Sequence, residues 1–379
     1  MKTRNIQFKE NKWHNIEGND NDSIDVLLVF TGVNLLENKN ILSFLTTQFK
    51  NAKIISCTTA GEIDQTHVEE NSIICSAIHF EKTPIETVVD NLKNYNNSFE
   101  LGNNLAKKLN TKNLTHIFML SDGNLVNGDD LLTGLKSEIG TNIQITGGIA
   151  GDGDRFQKTF VGLNQDYKEG NVVLMGLYGN HIHVGTGNQA GWDVFGPEKT
   201  ITKSKENFLH EIDGENALDM YKTYLGKYAT ELPASALLFP ISIKTKDHDF
   251  YIVRTILSID NDKKVMKFAG NVPEGSTIRF MKSNFDRLVL AASEAGVEAC
   301  EISGNKTTPD LAVIVSCVGR KLVLANRIEE EVEAAVECFP NTTNVIGFFS
   351  YGEISPQKED HISYLHNQTI TITTFSEHV

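Results

Sequence analysis

The sequence predicts a mixed α/β protein, two lobes of mixed β-sheet flanked by helices and built on an internal β-α-β-turn-β repeat. Three observations predict it. Short β-branched apolar runs alternate with amphipathic helical stretches along most of the chain. In three units the first strand leads to the second in about thirty residues, the span of one right-handed crossover. Two units then carry the same turn, Gly61-Glu62-Ile63 and Gly352-Glu353-Ile354.

Residues 1–23 end in GNDNDS and read as a polar lead-in. DVLLVFTG is a strand, Leu42, Leu45 and Phe49 mark one helical face, KIISC is a second strand running into TTAGEI, and NSIICSAIHF closes the first copy. In the middle copy THIFMLSDG is a strand into a turn, and Leu131 (or Leu132), Leu135 and Ile139 mark a helix. NIQIT runs into GGIAGDG, and NVVLMGLYG closes it, with Asp152 where the other copies have Glu. A glycine-rich loop follows. TITKS and FLHEID then read as strands, Ala217, Met220, Tyr221, Tyr224 and Leu225 as a helical face, and ALLFPISIK and DFYIVRTILSID as strands. A helix over 285–300 leads into the third copy. There LAVIVS is a buried-type strand, and Asn326 with Glu329 predicts a capping box. The helix it opens carries Ile328, Val332, Ala335, Val336 and Phe339 on one face and ends at Pro340. NVIGFF and QTITITTF are the remaining strands. The composition shift near 196–205 divides the chain into a lobe over 24–200 and a lobe over 201–379.

Length and composition narrow the class. The chain has 379 residues, 40% of them apolar, enough for two domains with real cores. Its net charge of −14 argues against nucleic acid and anionic membrane as partners. Five cysteines stand far apart with no C-x-x-C, as expected of a reducing cytoplasm without a disulfide framework or zinc finger. No apolar run approaches the length of a membrane span, and no secretory leader is visible at the N-terminus, so a cytoplasmic protein without membrane insertion is expected.

Chemistry concentrates between residues 316 and 369, where three polar clusters fall at strand ends, the usual place for a ligand crevice in α/β layers. They are Ser316, Cys317 and Arg320; Ser350, Tyr351, Gly352 and Glu353; and His366 and Asn367. Arg320, and Arg254 in the otherwise apolar YIVRTI, offer planar forks suited to a carboxylate. Glu353 suits an ammonium group, and Asn367 both donates and accepts. That inventory predicts one pocket holding a small zwitterion, an amino acid or similar molecule. A second candidate site takes the equivalent positions of the first two copies: Cys57, Thr58, Thr59, Gly61 and Glu62, with Ser121, Asp122, Gly148, Gly151 and Asp152.

Blander readings stand beside these. Glu62 and Glu353 equally suit carboxylates that stabilise their own turns, and the two roles are compatible. GGIAGDG lacks a complete G-x-G-x-x-G and a following helix, which favours close backbone packing over a nucleotide cradle. Cys317 reads first as a buried small residue. As an enzyme alternative it would be a nucleophile with His366 as base and Glu353 or Asn367 as orienter. His181 and His183 alternate on one strand without a third ligand, so neither a metal nor a cofactor is expected. A protein-interaction scaffold is the remaining alternative.

CTTAGEI, GGIAGDG with Thr159 and Val161, and NVVLMGLYG resemble the motifs of the FIST N domain. GW-x-x-x-GP, EIDGENALDMYKTYLG, YIVRTI, VPEGS, SCVGR, GFFSYGEI and LHNQT resemble the linking segment and the FIST C domain. The resemblance runs in order over nearly all of the chain after residue 24. It implies an intracellular sensory module that binds small ligands such as amino acids. FIST domains often adjoin an output module. The length here leaves no room for one, so a stand-alone sensor with an unidentified downstream signalling protein is expected.

Overall fold

The computed structural model describes residues 1–18, 21–37, 39–232, 234–301 and 308–377. Three copies of one unit form its centre. The first comprises β1 (Val26–Thr31), α1 (Lys39–Gln48), β2 (Lys53–Thr58), β3 (Glu62–Asp64) and β4 (Ile73–His79). The second comprises β5 (Leu114–Ser121), α2 (Gly128–Ile139), β6 (Gln144–Ile149), β7 (Val161–Leu163) and β8 (Asn171–Tyr178). The third follows the long helix α3 (Phe285–Glu301) and comprises β9 (Leu311–Cys317), α4 (Val318–Leu324), α5 (Ile328–Val336), β10 (Asn344–Ser350), β11 (Gly352–Pro356) and β12 (Ile370–Glu377). In each, the first two strands pair in parallel and the closing strand pairs antiparallel to the first. The mixed sheets and the repeat are as the sequence predicts.

The short strand after each turn leaves its own sheet. β3 pairs with β10 of the third copy, β11 pairs with β6 of the second, and β7 pairs with β2 of the first. The exchange closes on itself, 1 to 3, 3 to 2 and 2 to 1. Each donated strand brings a hairpin partner: His67–Glu69, Asp166–Lys168 and Ser363–His366. Each sheet is bordered on its other side by a strand lying earlier in the chain: Lys2–Lys9, Ile85–Asn91 and Ile182–Gln189. The supposed lead-in is thus partly a strand, with Ile6 buried against the first sheet, because β4 has a free edge that needs hydrogen-bond partners.

Between Ile182–Gln189 and α3 the third copy carries an insertion. Its strands, from Asp193–Lys205 to Thr277–Lys282, form a separate sheet curved around the helix Ala217–Leu225. Tyr221, Phe268 and Phe280 centre its own apolar core.

The third copy departs from the predicted capping. Its crossover is two helices separated by Ala325 at φ 48°, and α5 is entered through Arg327 without a side-chain cap. Asn326 lies in the turn between the helices, not at the cap position.

Gly147, Gly148 and Gly151 of GGIAGDG serve close packing. Gly147 has φ +136°, and a Cβ there would lie 1.9 Å from the Met119 carbonyl oxygen on the neighbouring strand. A Cβ on Gly148 would meet Val315 and Phe348 at 2.6 and 2.9 Å. Gly147→Ala combines backbone strain with collision against backbone. We expect it to lower unfolding free energy by about 2–4 kcal/mol in urea titrations. A cost below about 1 kcal/mol would show that β5 and β6 tolerate separation there.

Candidate functional site

The turns from which the strands cross over carry buried carboxylates. Glu62 accepts from the Thr59 hydroxyl at 2.5 Å and the Ser72 hydroxyl at 2.9 Å. Glu353 repeats the arrangement, accepting from Ser350 at 2.6 Å and Thr369 at 2.8 Å. In both, one hydroxyl lies three residues before the Glu and the other directly before the closing strand. Burial pushes the Glu62 carboxyl up to about 7 and the Glu353 carboxyl up to about 8, with the hydroxyl donors pulling the other way. Asp152 differs because its preceding turn position is Ile149, which has no donor. It accepts from the backbone N–H groups of Phe156, Gln157 and Lys158 and from the Tyr351 hydroxyl, clamping the loop over 153–160. Asp122 helps hold that loop by accepting from Thr159 at 2.7 Å.

Of the second candidate site, Thr59, Gly61 and Glu62 border a cleft of about 350 Å³ lined by residues of all three copies. Lys321 of α4 crosses it, donating to the Ala60 carbonyl at 2.8 Å and pairing with Glu70 at 2.6 Å. Gly61 leaves room for that lysine, since a Cβ there would come 2.5 Å from Lys321 Nζ. Asp154 and half-exposed Arg155 supply the opposite wall, and Asn71 lies beside Glu70. Cys57, Ser121, Gly148, Gly151 and Asp152 are buried in the framework and do not line this cleft. Thr58 acts there too, accepting from the Phe160 N–H at 2.9 Å.

The C-terminal clusters are not brought together as one open pocket. Arg320 is completely buried and is held by Glu331 at 2.8 Å, the Leu288 carbonyl at 2.9 Å and the Ala190 carbonyl at 2.5 Å. Glu331 also accepts from Ser316 at 2.6 Å. Arg254 donates to the Leu365 carbonyl at 2.9 Å and pairs with Asp129 at 3.2 Å. The carboxylate forks expected of both arginines are therefore occupied inside the protein, because a buried guanidinium requires internal partners. Cys317 is buried, and burial together with the nearby Glu353 raises its thiol pKa, the reverse of what a nucleophile needs. His366 Nε2 lies 3.1 Å from the Ser355 carbonyl and 3.0 Å from Asn188, and burial lowers its pKa to about 4. Trp192 anchors its loop by donating to the Gln368 carbonyl at 2.7 Å.

Tyr351 stacks on Phe156 at 4.4 Å and borders a second cleft, of about 360 Å³, roofed by Leu257 and Lys267 of the inserted sheet. Behind it, Gly352 leaves space beside Leu365 and Asn367. Asn367 and Gln368 are fully buried, and among the described residues neither amide nitrogen nor oxygen of either side chain meets a protein partner. Such groups call for solvent or ligand. The pair occupies the positions that Glu70 and Asn71 hold in the first copy, directly before the hydroxyl that binds the turn Glu.

Glu331, Lys321, Glu70, Asn71 and Arg155 were not singled out by the sequence. One signal for Asn71 is local. Asn71, Gly170 and Gln368 each precede the same hydroxyl or amide position of a closing strand, with φ of 56°, 76° and 58°. Asn and Gly are the residues that favour that conformation.

The comparisons with known proteins agree with this architecture in extent. The FIST N domain model matches residues 25–215, and the FIST C domain model matches 217–356. The chain belongs to the FIST family. FIST domains are regarded as small-ligand-binding domains of signal transduction, and both clefts lie where FIST N and FIST C residues meet. A crystal structure of chorismatase is similar at 10% identity and a TM-score of 0.36, over 98% of each chain, too distant to bear on chemistry. A search of curated proteins returns no match. Among the described residues no helix is long and apolar enough to cross a membrane.

Two outcomes follow for the FIST framework. Arg320→Ala leaves Glu331 buried without its partner and is expected to cost about 3–5 kcal/mol in chemical denaturation, whereas Arg320→Met with Glu331→Leu recovers most of it. An Arg320→Ala cost near zero would mean the pair is not held as described. The second concerns pH. Glu62 and Glu353 retain protons in the folded state that an unfolded chain releases near its ordinary carboxyl pKa, so stability falls as pH rises toward 7 and 8. The buried histidines, lowered to about 3 at His116 and about 4 at His366, act oppositely, but only below roughly pH 6.5. Between pH 6.5 and 8 the carboxyls are left to dominate, at up to ~1.4 kcal/mol per pH unit each. Glu353→Gln should flatten the upper part of that fall in urea titrations. A slope unchanged by Glu353→Gln would contradict a protonated Glu353.

Proposed function

We propose that this FIST protein is a cytoplasmic sensor that binds an amino acid or similar small zwitterion in the cleft lined by Glu62, Glu70, Asp154, Arg155 and Lys321, where its three repeats meet. It passes its state to a separate signalling protein. The observation that carries this reading is the charge arrangement of that cleft, where Arg155, Asp154, Glu62 and the Lys321–Glu70 ion pair line about 350 Å³. Arg155 has its guanidinium 3.9 Å from Asp152 and is half exposed, which leaves its fork accessible to a ligand carboxylate. Glu70 and Asp154 suit an ammonium group. Three acids with two cations match a molecule carrying both signs better than a polyphosphate, which wants an excess of cations. Volume supports the same class, since about 350 Å³ is the lower end of small-molecule sites.

Signal output follows from where the cleft lies. Its walls come from different repeats, so a ligand that bridges Arg155 and Glu70 draws the Asp152 loop toward the hairpin of the first copy. Differential affinity for the closed arrangement is what any such output requires.

The test is a thermal-shift and calorimetric screen of amino acids and small carboxylates. A ligand at a hundredfold excess over its Kd stabilises the fold by about 2.7 kcal/mol, a readily measured shift. Arg155→Ala and Glu70→Gln, both at exposed positions, should each weaken binding by roughly ten- to hundredfold, the worth of a charge-assisted hydrogen bond. Binding that survives both substitutions would remove the cleft from consideration, and a co-purified ligand that proved apolar would remove the ligand class.

A further inference from the structure

Two of the five cysteines lie together. Cys300 stands near the end of α3, Cys338 stands just beyond α5, and their Sγ atoms are 3.6 Å apart. The helices carrying them touch through their backbones. A Cβ on Gly296 would come 2.2 Å from the Ala335 carbonyl oxygen and 3.1 Å from Cys338 Sγ. The sulfurs are therefore held in proximity by a crossing too tight to drift. Cys338 is exposed and Cys300 partly so, while Cys57, Cys75 and Cys317 are buried.

We propose that Cys300 and Cys338 form a reversible redox site, closing to a disulfide on reaction with a small disulfide of the glutathione class. The sulfurs stand 3.6 Å apart, against about 2.05 Å for an S–S bond, so closing the bond takes an approach of under 2 Å. Either sulfur can donate the S–H···S contact, leaving the other to attack as the thiolate, here Cys300. The Cys300 thiolate attacks one sulfur of the small disulfide, that S–S bond breaks, and one small thiol leaves carrying a proton. Cys338 then gives up its proton and attacks Cys300 Sγ, and the second small thiol leaves. Two protein thiols and one small disulfide become one protein disulfide and two small thiols, so atoms and electrons balance.

The bond would act on the frame behind the ligand cleft. α5 carries Glu331, which holds Arg320 and Ser316, and Arg320 in turn binds the Leu288 carbonyl of α3. Linking α3 to α5 fixes the two helices between which Arg320 is clamped, and α4, which carries Arg320, also presents Lys321 to the cleft. Cytosolic disulfides of this kind are usually transient and redox-sensing, which fits two accessible thiols better than a permanent cross-link.

The experiment equilibrates the full chain with defined ratios of reduced to oxidised glutathione, then alkylates and maps peptides without reduction. The expected result is a Cys300–Cys338 linked peptide, the other three thiols alkylated after unfolding, and a higher unfolding temperature for the oxidised form. Dithiothreitol reverses both. Cys300→Ser and Cys338→Ser should each abolish the link and the temperature rise. A stable glutathione adduct on Cys300 without the internal bond, or both thiols remaining free in the most oxidising mixture, would overturn the proposal. None of these readings depends on the ligand cleft, so its failure and theirs are separable.

Discussion

The hydrogen-bonding edge of the second strand of each repeat is satisfied by a hairpin from another repeat, and the remaining architecture follows from that exchange. An unpaired β edge buried in a core leaves a row of N–H and C=O groups without partners, each at a cost comparable to a lost hydrogen bond. No repeat completes its own sheet, so the three copies depend on one another. The crossing turn is the hinge of the exchange, and there Glu62 and Glu353 tie the departing strand to hydroxyls on its own repeat. Holding these carboxyls in low dielectric raises their pKa toward neutrality. In the protonated form each both donates and accepts, which suits a site already surrounded by hydroxyls.

The exchange also explains why clefts occur at the seams. A hairpin that leaves its own sheet separates the turn behind it from the helix of the repeat it joins. In the first copy that seam is lined by Glu62, Glu70 and Lys321, and in the third by Tyr351 with Leu365. The middle copy differs because Asp152, one methylene shorter than Glu and lacking a hydroxyl at position 149, gathers the N–H groups of its own loop instead. That loop carries Arg155 to the first cleft and Phe156 to the second. Loss of symmetry at one carboxylate thus contributes walls to both sites.

Much of this was legible in the residues. The repeat order follows from strand-type runs at constant spacing, and Gly-Glu-Ile marks two crossing turns. The crossing itself was not legible, because a three-residue strand such as Glu62–Asp64 reads the same whether it folds back or joins a distant sheet. Nor was the role of Arg320. A strand-end arginine looks like a ligand fork until its carboxylate is known, and α5 offers Glu329, Glu330 and Glu331 together. One clue was present. Ile328, Val332 and Ala335 define the buried face, and Glu331 falls on it at helical spacing, whereas Glu329 and Glu330 do not. A carboxylate on an apolar face needs an internal cation, and the arginine eleven residues earlier supplies one.

The buried ion pair and the turn carboxylates divide the labour of specifying the third repeat. Glu331 binds Arg320 and Ser316, so it fixes how α4 and α5 lie against β9. Glu353 binds Ser350 and Thr369, so it fixes how β11 departs and how β12 begins. Between these two satisfied networks lie Asn367 and Gln368, whose four amide atoms no group among the described residues satisfies. A buried polar group left unpaired costs about 1–3 kcal/mol, enough for substitution by apolar residues to be advantageous if the site served packing alone. Their presence beside Glu353, at positions where the first copy places the cleft residues Glu70 and Asn71, is therefore better explained by a polar partner from solvent or ligand than by the needs of the core.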